Sequence, residues 1–507
     1  MAWIAIALFS IQSIVLLLFC FFGVFNALYG FASLRRPSIR RTKHSGRQIA
    51  VVVVSFNEKH VLENTIRACE TLTYRNKLIV MADDSTDSDV VESLREVARA
   101  GGCRKVTEHG CVQEITGPDG SERLESIEIW EGPGLVLLHR PQNVGFKAGS
   151  IRNVEAYLRG RNIELMYLLD ADWRPQRDAL ERCLEVLEAD ERVAFVQTKR
   201  LAVQDGLNRF QRCVAINEEG CYRVDFQGRQ VLGHPILFSG CCTLLRMDAV
   251  ANVGGFTSGH LTEDLDLTDR LWLKGWKGVY LNGVVNHGEV PFTFDHFRRQ
   301  QERWAAGSAR CLRRYFWPII RCREMSTIQK LSAIRQNSYF ATSVLTAFAL
   351  AIGIGTVLWL TLGWNTYQVE FYLYLAESVR IPFTILVWAC VLSNFVEPLV
   401  SVLCKKRDRW DILHLPLTLW YAWGVLHTYV MGNAKGFFGR RLDWFRTPKI
   451  PRRETIKFSP APVPIRFVNL ITLMVLIALY FTEGWSFAWK DYFALLWVPA
   501  FLLAVAK

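Results

Sequence analysis

Four acids crowd one short stretch, HLTEDLDLTDRLWLKGW from His260 to Trp276: Glu263, Asp264, Asp266 and Asp269 lie among Leu261, Leu265, Leu267, Leu271 and Trp272. Leu261, Leu265 and Trp272 recur at helical spacing, which predicts a helix starting near Thr262 with the acids in its first turns. Acids there can simply cap the helix and favour the positive end of its dipole. A second pair, Asp170 and Asp172 in LLDADW, points to one side of a strand-like run because side chains alternate. Carboxylates about 7 Å apart on one face repel unless a cation or hydrogen bonds intervene. A hard divalent ion, Mg2+ or Mn2+, shared with substrate phosphates resolves the conflict. A paired-acid turn before Pro175 is the plainer alternative. Asp83 and Asp84 open a third cluster, DDSTD, whose carboxylates could accept hydrogen bonds from a base or ribose. Lys147, in NVGFKAGS, opens a helix where backbone N–H groups and an ammonium could both meet phosphate. Taken in chain order at strand ends, Asp83 with Asp84, Lys147, and Asp170 with Asp172 describe a nucleotide-diphosphate pocket.

The elements that must hold these groups alternate. IAVVVVSF (Ile49 to Phe56), KLIVMAD (Lys77 to Asp83), LVLLHR (Leu135 to Arg140) and ELMYLLD (Glu164 to Asp170) read as buried strands, each followed by a helical segment. That pattern predicts an α/β domain with a mostly parallel, doubly wound sheet over residues 48–310. Ligands bind such sheets outside the carboxyl ends of the strands, where FNE, DDSTD and DAD all fall. Gly101 to Gly134 has mixed polarity and reads as a surface insertion.

At 507 residues the chain needs at least two structural units. Half its residues are hydrophobic while 21% are charged, a mixture that fits a membrane protein carrying a soluble domain. The net charge of +12 does not point to nucleic acid, because basic runs such as Arg35 to Arg47, Cys404 to Arg409 and Arg446 to Arg453 lie beside apolar spans. They suit cytoplasmic flanks on anionic lipid, and a basic mouth for a nucleotide would use the same field. The 13 cysteines form no CxxC and no zinc spacing, implying a reducing compartment and no disulfide framework. An N-terminal transmembrane helix is expected over 1–34 and interfacial helices over 311–337. A transmembrane region over 338–507 would include spans near Tyr339 to Leu362, Ile381 to Leu403, Phe467 to Tyr480 and Tyr492 to Ala506. Segment 411–438 reads as interfacial or re-entrant, because both its flanks are basic; five crossings result, or six if it spans.

FNE, DDSTD, FKAG, DAD, FSGCC, TED and QQERW, in this order and spacing, resemble the processive family 2 glycosyltransferases. That group contains cellulose synthase and its cellulose-synthase-like relatives, with chitin and hyaluronan synthases. The resemblance implies a cytoplasmic GT-A-type, Rossmann-like transferase domain joined to transmembrane and interfacial helices. It implies a donor site of Glu58, Asp83, Asp84, Lys147, Asp170, Gln300 and Arg303, and a Mg2+ or Mn2+ ion on Asp172 with Asp170. Asp264 would be the general base, with Glu263 and Thr262 beside it. Trp304, Phe238, Ser239, Gly240 and Cys241 would meet the acceptor. A carboxylate in reach of a sugar hydroxyl can take its proton as the new bond forms, and the departing diphosphate's charge would be met by Lys147 and Arg303.

Three further features carry two readings each. His287 can approach the metal or be a structural histidine. DWFRTPK within 443–450 can be a gating loop or a basic flank. Trp359, Trp388, Asn394, Glu397, Trp420 and Trp423 can line a sugar conduit, or the tryptophans can form an interfacial belt. The expected activity is an inverting, membrane-embedded hexosyltransferase in the plasma membrane or Golgi. It would polymerise a β-linked polysaccharide, by preference a glucan from UDP-glucose, with the growing chain and the bilayer as partners. The alternatives are a mannan synthase using GDP-mannose, a UDP-N-acetylglucosamine enzyme, a lipid transferase adding one sugar to ceramide or polyprenyl phosphate, and a scaffold with a dead transferase domain.

Overall fold

Seven consecutive residues, Ile49–Ser55, are buried on both faces, as a β-branched run must be at the centre of a sheet covered by helices. The computed structural model describes residues 3–439, apart from 107–111, 117–121, 204–205, 363–365, 394 and 405–408. Its strands are β1 (Ile49–Ser55), β2 (Lys77–Asp83), β3 (Arg104–Lys105), β4 (Val112–Thr116), β5 (Glu122–Ser126), β6 (Glu128–Glu131), β7 (Leu135–His139), β8 (Leu165–Asp170), β9 (Val193–Ala202), β10 (Thr243–Arg246) and β11 (Lys277–Gly288). Nine of them form one sheet in the order β11-β9-β10-β8-β1-β2-β7-β6-β3, while β4 and β5 pair as a separate hairpin.

The sheet is mixed. β8, β1, β2 and β7 run parallel, so Ser55, Asp83, His139 and Asp170 share one edge. β10 is antiparallel to both neighbours, and β6 to β7. At β6 the departure from a mostly parallel sheet has a local cause: only Gly132, Pro133 and Gly134 separate β6 from β7, too few residues for a crossover. The stretch read as a surface insertion therefore contributes β3 and β6 to the edge of the sheet.

Helices follow as α1 (Trp3–Ser33), α2 (Lys59–Glu70), α3 (Ser88–Ala100), α4 (Phe146–Gly160), α5 (Ala179–Leu187), α6 (Arg209–Gly220), α7 (Gln227–Leu232), α8 (Met247–Asn252), α9 (Glu263–Leu273), α10 (Phe294–Arg321) and α11 (Thr327–Asn337). After them come α12 (Thr342–Leu362), α13 (Thr366–Ser378), α14 (Arg380–Ser393), α15 (Val396–Leu403), α16 (Leu415–Gly424) and α17 (Leu426–Phe437). Odd-numbered β1 residues Ile49, Val51 and Val53 pack with α2, α3 and α5. Ala50, Val52 and Val54 pack with α4, α8 and α9 on the other face. A π-helical turn, Cys221–Phe226, joins α6 to α7.

Among the described residues α1 is the helix long and apolar enough to cross a membrane. The expected span 381–403 is divided between α14 and α15. Segment 411–438 forms the end of a 3-10 turn, α16 and α17. The boundary expected at residue 310 falls inside α10, which continues to Arg321. The spans expected near Phe467 to Tyr480 and Tyr492 to Ala506, and the DWFRTPK loop, lie outside the described residues. The cysteines whose side chains are described are free thiols.

Candidate active site

Lys147 is the hub of the carboxyl edge. It enters on the first turn of α4, after two left-handed residues, Gly145 and Phe146, which turn the chain sharply from β7 into the helix. Its Nζ donates to Asp170 Oδ1 at 2.5 Å and to the Gly240 carbonyl at 2.8 Å, and lies 4.0 Å from Glu263 Oε1. One ammonium thus joins the DAD strand end, the FSGCC turn and the TED helix. Burial works against its charge, but Asp170 and Glu263 hold its pKa above the ordinary lysine value.

Asp264 stands on the far side of that turn. Gly240 has φ +83°, and a Cβ there would lie 3.0 Å from Asp264 Oδ2, so only glycine lets the turn approach the carboxylate. Asp264 Oδ1 accepts the Leu265 N–H at 2.9 Å. Burial raises the Asp264 carboxyl above the usual range, and burial with Asp264's charge pushes Glu263 up to about 7. Thr262 caps α9 without a side-chain hydrogen bond. Instead it abuts α10, where a Cβ on Gly307 would come within 2.3 Å of its methyl.

The other two acids of this stretch are not solvated caps, and here the expectation is corrected. Asp266 is fully buried, accepts from Tyr315 Oη at 2.6 Å and pairs with Arg270. Burial raises its pKa, but His260, Tyr315 and Arg270 together hold it below the carboxylate range. Asp269, also buried, takes two bonds from Asn337 Nδ2 at 2.9 and 3.0 Å, and burial drives its pKa well up. Both acids hold α9 to α10 and α11.

QQERW lies on α10. Arg303 donates to the Leu261 carbonyl at 3.0 Å and its charge opposes the rise at Glu263 and Asp264. Gln300 and Trp304 are half-buried nearby on the same helix. Gln301 and Glu302 turn the other way, to Tyr429 and Lys435 of α17.

The nucleoside side differs from expectation. Asp83 is fully buried and its two oxygens are taken by Ser55, Ser85 and His139 at 2.6–3.1 Å. It fastens the ends of β1, β2 and β7 rather than facing a donor. Asp84, 2% exposed, receives Arg140 bidentately at 2.5 and 2.7 Å. Arg140 also bonds the carbonyls of Val144 and Phe146, tying DDSTD to the FKAG loop. Glu58 caps α2, half-buried, after Asn57 (φ +53°). Asn57 Oδ1 accepts the N–H groups of Thr86 and Asp87 at 2.9 and 3.1 Å, which locks FNE onto DDSTD.

Asp170 is partly exposed and Asp172 is 5% exposed. Among the described residues no three His, Cys, Asp or Glu side chains gather at metal-binding distances. Two carboxylates from one strand end are nevertheless the protein donors that an Mg2+- or Mn2+-type ion needs when phosphates and water complete its shell. His287 is exposed, and its backbone bridges Arg174 just after DADW. Phe238 has no exposed surface and packs between Phe195 and Phe256; it is core, not acceptor lining. Cys241 is equally buried, leaving Ser239 and Gly240 of that segment nearest the site.

Arg140 and Arg200 escaped the motif reading. LVLLHR places Arg140 at a strand end, but its pairing with Asp84 follows only once that strand is set beside DDSTD.

Residues 165–505 match the model of the glycosyl transferase family group 2. A probable glucomannan 4-beta-mannosyltransferase 6 of Oryza sativa subsp. japonica is 26% identical over 420 residues, 81% of this chain and 64% of the rice protein. Glucomannan 4-beta-mannosyltransferase 7 of Arabidopsis thaliana is 25% identical over 439 residues, 84% of this chain and 70% of that one. The matches span from 44% to 64% of the length of the first two rice relatives. Among solved structures, a Pyrobaculum calidifontis mannosyltransferase in complex with GDP-Man and Mn2+ has a TM-score of 0.49 at 15% identity, over 87% of this chain and 99% of that chain.

Proposed function

The chain belongs to glycosyl transferase family group 2, with a GT-A-like α/β domain and a mixed sheet, and from that premise we propose that it is a membrane-anchored, inverting mannosyltransferase that extends a β-linked mannan-type polysaccharide from GDP-mannose. One observation carries the reading: Lys147 Nζ gathers Asp170, the Gly240 carbonyl and Glu263 at 2.5, 2.8 and 4.0 Å, so the donor, acceptor and base segments meet within one side chain's reach. The motif-based preference for UDP-glucose and a glucan gives way to the mannan alternative, because the curated relatives are named glucomannan 4-beta-mannosyltransferases.

Asp264 takes the proton of the acceptor hydroxyl as its oxygen bonds to the anomeric carbon. The bond from that carbon to the diphosphate breaks, and the electron pair leaves with the diphosphate. A raised carboxyl pKa makes Asp264 a stronger base than a surface aspartate, provided the pH lies above it. Lys147 and Arg303 oppose the charge of the leaving group, and the α4 N-terminus adds backbone N–H groups. Asp170 and Asp172 would hold a divalent cation, which when bound supplies further positive charge to the diphosphate.

The test is turnover of labelled GDP-mannose, UDP-glucose and UDP-N-acetylglucosamine by the purified full chain with Mg2+ or Mn2+, with product length resolved. GDP-mannose should yield polymer, and Asp264→Asn should abolish transfer while donor affinity stays within a few-fold. Polymer from UDP-glucose alone restores the glucan reading, a discrete lipid-soluble product establishes a lipid transferase, and no turnover of any donor overturns the proposal.

A further inference from the structure

Arg200, half-buried on β9, belongs to none of the motifs. Its guanidinium carbon sits 5.2 Å from the ring centre of Trp173 and 5.2 Å from that of Tyr222, a cation held between two aromatic faces. Nη1 donates to Cys241 Sγ at 3.3 Å and Nη2 pairs with Glu218 at 3.0 Å. Nε is buried and meets no acceptor among the described residues. A donor left unmet inside a fold lowers stability, so a residue kept there is expected to serve something else.

Its neighbours say what. Trp173 immediately follows Asp172, and its ring is pinned from behind by β11, where a Cβ on Gly288 would come within 2.4 Å of it. Cys241 belongs to the FSGCC turn, one residue from the Gly240 carbonyl that receives Lys147. Tyr222 Oη and Ser239 Oγ are 2.9 Å apart, so the π-helical turn holds the same segment from the other side. Arg200 therefore touches the donor-side DADW turn and the acceptor-side FSGCC turn at once.

We infer that Arg200 is a positioning residue that fixes the distance between the donor's diphosphate end and the acceptor-lining turn, and so decides whether the sugar passes to an acceptor or to water. The inference rests on the transferase reading above. Lysine cannot replace it, since an ammonium lacks the planar fork that stacks on two rings while bonding sulfur and carboxylate.

The experiment measures, on the full chain, both acceptor-dependent transfer and acceptor-independent release of nucleoside diphosphate. Arg200→Lys and Arg200→Gln should lower transfer about tenfold or more and raise the hydrolysis-to-transfer ratio several-fold, with donor KM within about twofold. Tyr222→Phe keeps the ring beneath Arg200 and removes only the bond to Ser239; it should shift the ratio in the same direction by a smaller factor. A merely structural role would depress transfer and hydrolysis by one common factor, and that result, or an unchanged ratio in all three variants, overturns the inference. Absence of turnover in the wild-type protein would instead overturn the transferase reading, so the two failures are distinct.

Discussion

Glu263 shows most directly how burial at one residue reaches the behaviour of the whole protein. Its carboxyl is pushed up to about 7, whereas an unfolded chain releases the same proton near 4.3. Below that lower value both states are protonated and the residue is neutral towards folding. As pH rises through the gap, the folded state retains a proton the unfolded state has lost, and stability falls until the folded group also ionises. Glu263→Gln should therefore raise the unfolding temperature at pH 8 and leave it nearly unchanged at pH 4. The gain has a ceiling of about 4 kcal/mol, since each unit between about 4.3 and about 7 is worth about 1.36 kcal/mol. Thermal unfolding at both pH values decides the matter, and a larger gain at pH 4 would contradict a buried proton. At this scale the sequence exposed Lys147, Asp170 and Asp264, because each motif sits at an element end where side chains converge. It did not expose Arg140 or Arg200, because pairing with an acid or a ring from another strand is invisible until the strands are ordered. Asp83 and Phe238 misled for a related reason: a motif gives the neighbourhood of a site but not which way a side chain turns.

At the scale of elements, α10 is the piece that binds catalysis to the rest of the chain. One side carries Gln300, Arg303 and Trp304; the other meets α17 along Gly432 and Gly436. A Cβ at Gly436 would fall 2.1 Å from the Ala306 carbonyl, and one at Gly432 would fall 2.7 Å from that of Glu302, so the two backbones meet without side chains between them. Gly436→Val must push the helices apart or tilt α10, and overpacking of this kind costs about 1–3 kcal/mol. Tilting α10 also moves Arg303 from the Leu261 carbonyl. Transfer should fall at least tenfold, and the unfolding temperature should drop. Gly160→Ala, a position with open space around it, should change neither. Transfer unaffected by Gly436→Val would show that α17 packs on α10 without positioning it. Periodicity gave the buried strands, since apolar runs bounded by turn residues leave few alternatives. It could not resolve the four-residue strand Thr243–Arg246 or the division of 381–403 into two helices, because an apolar run reads alike whether or not the helix breaks within it.

For the molecule as a whole, α1 is more than a long apolar helix. Phe22, Phe25, Tyr29 and Ala32 recur on one face and are buried, while Trp3, Ile14 and Leu17 remain exposed on a stretch apolar enough for lipid. The lower end of the helix is built into the transferase domain. Tyr29 lies between the guanidinium groups of Arg229 and Arg335, at 5.0 and 5.1 Å, and its Oη bonds Ser332 at 2.8 Å. Arg229 and Arg335 both pair with Asp225 in the π-helical turn, the turn whose Tyr222 touches Ser239. A chain of ionic and hydrogen-bonded contacts thus runs from the N-terminal helix to Ser239 of the FSGCC segment. Breaking a buried ion network by removing one partner costs about 3–5 kcal/mol, whereas separating its members by one methyl group disturbs it less and leaves every charge in place. Gly228→Ala makes that smaller change, because its Cβ would meet Tyr29 Cα and O at 2.6 Å. The substitution should force α1 away from α7, lowering the unfolding temperature by several degrees and reducing transfer although position 228 touches no proposed catalytic group. Arg229→Met should unfold the protein outright or nearly so. If Gly228→Ala leaves stability and transfer unchanged, the contacts around Tyr29 contribute nothing to holding α1 against the transferase domain.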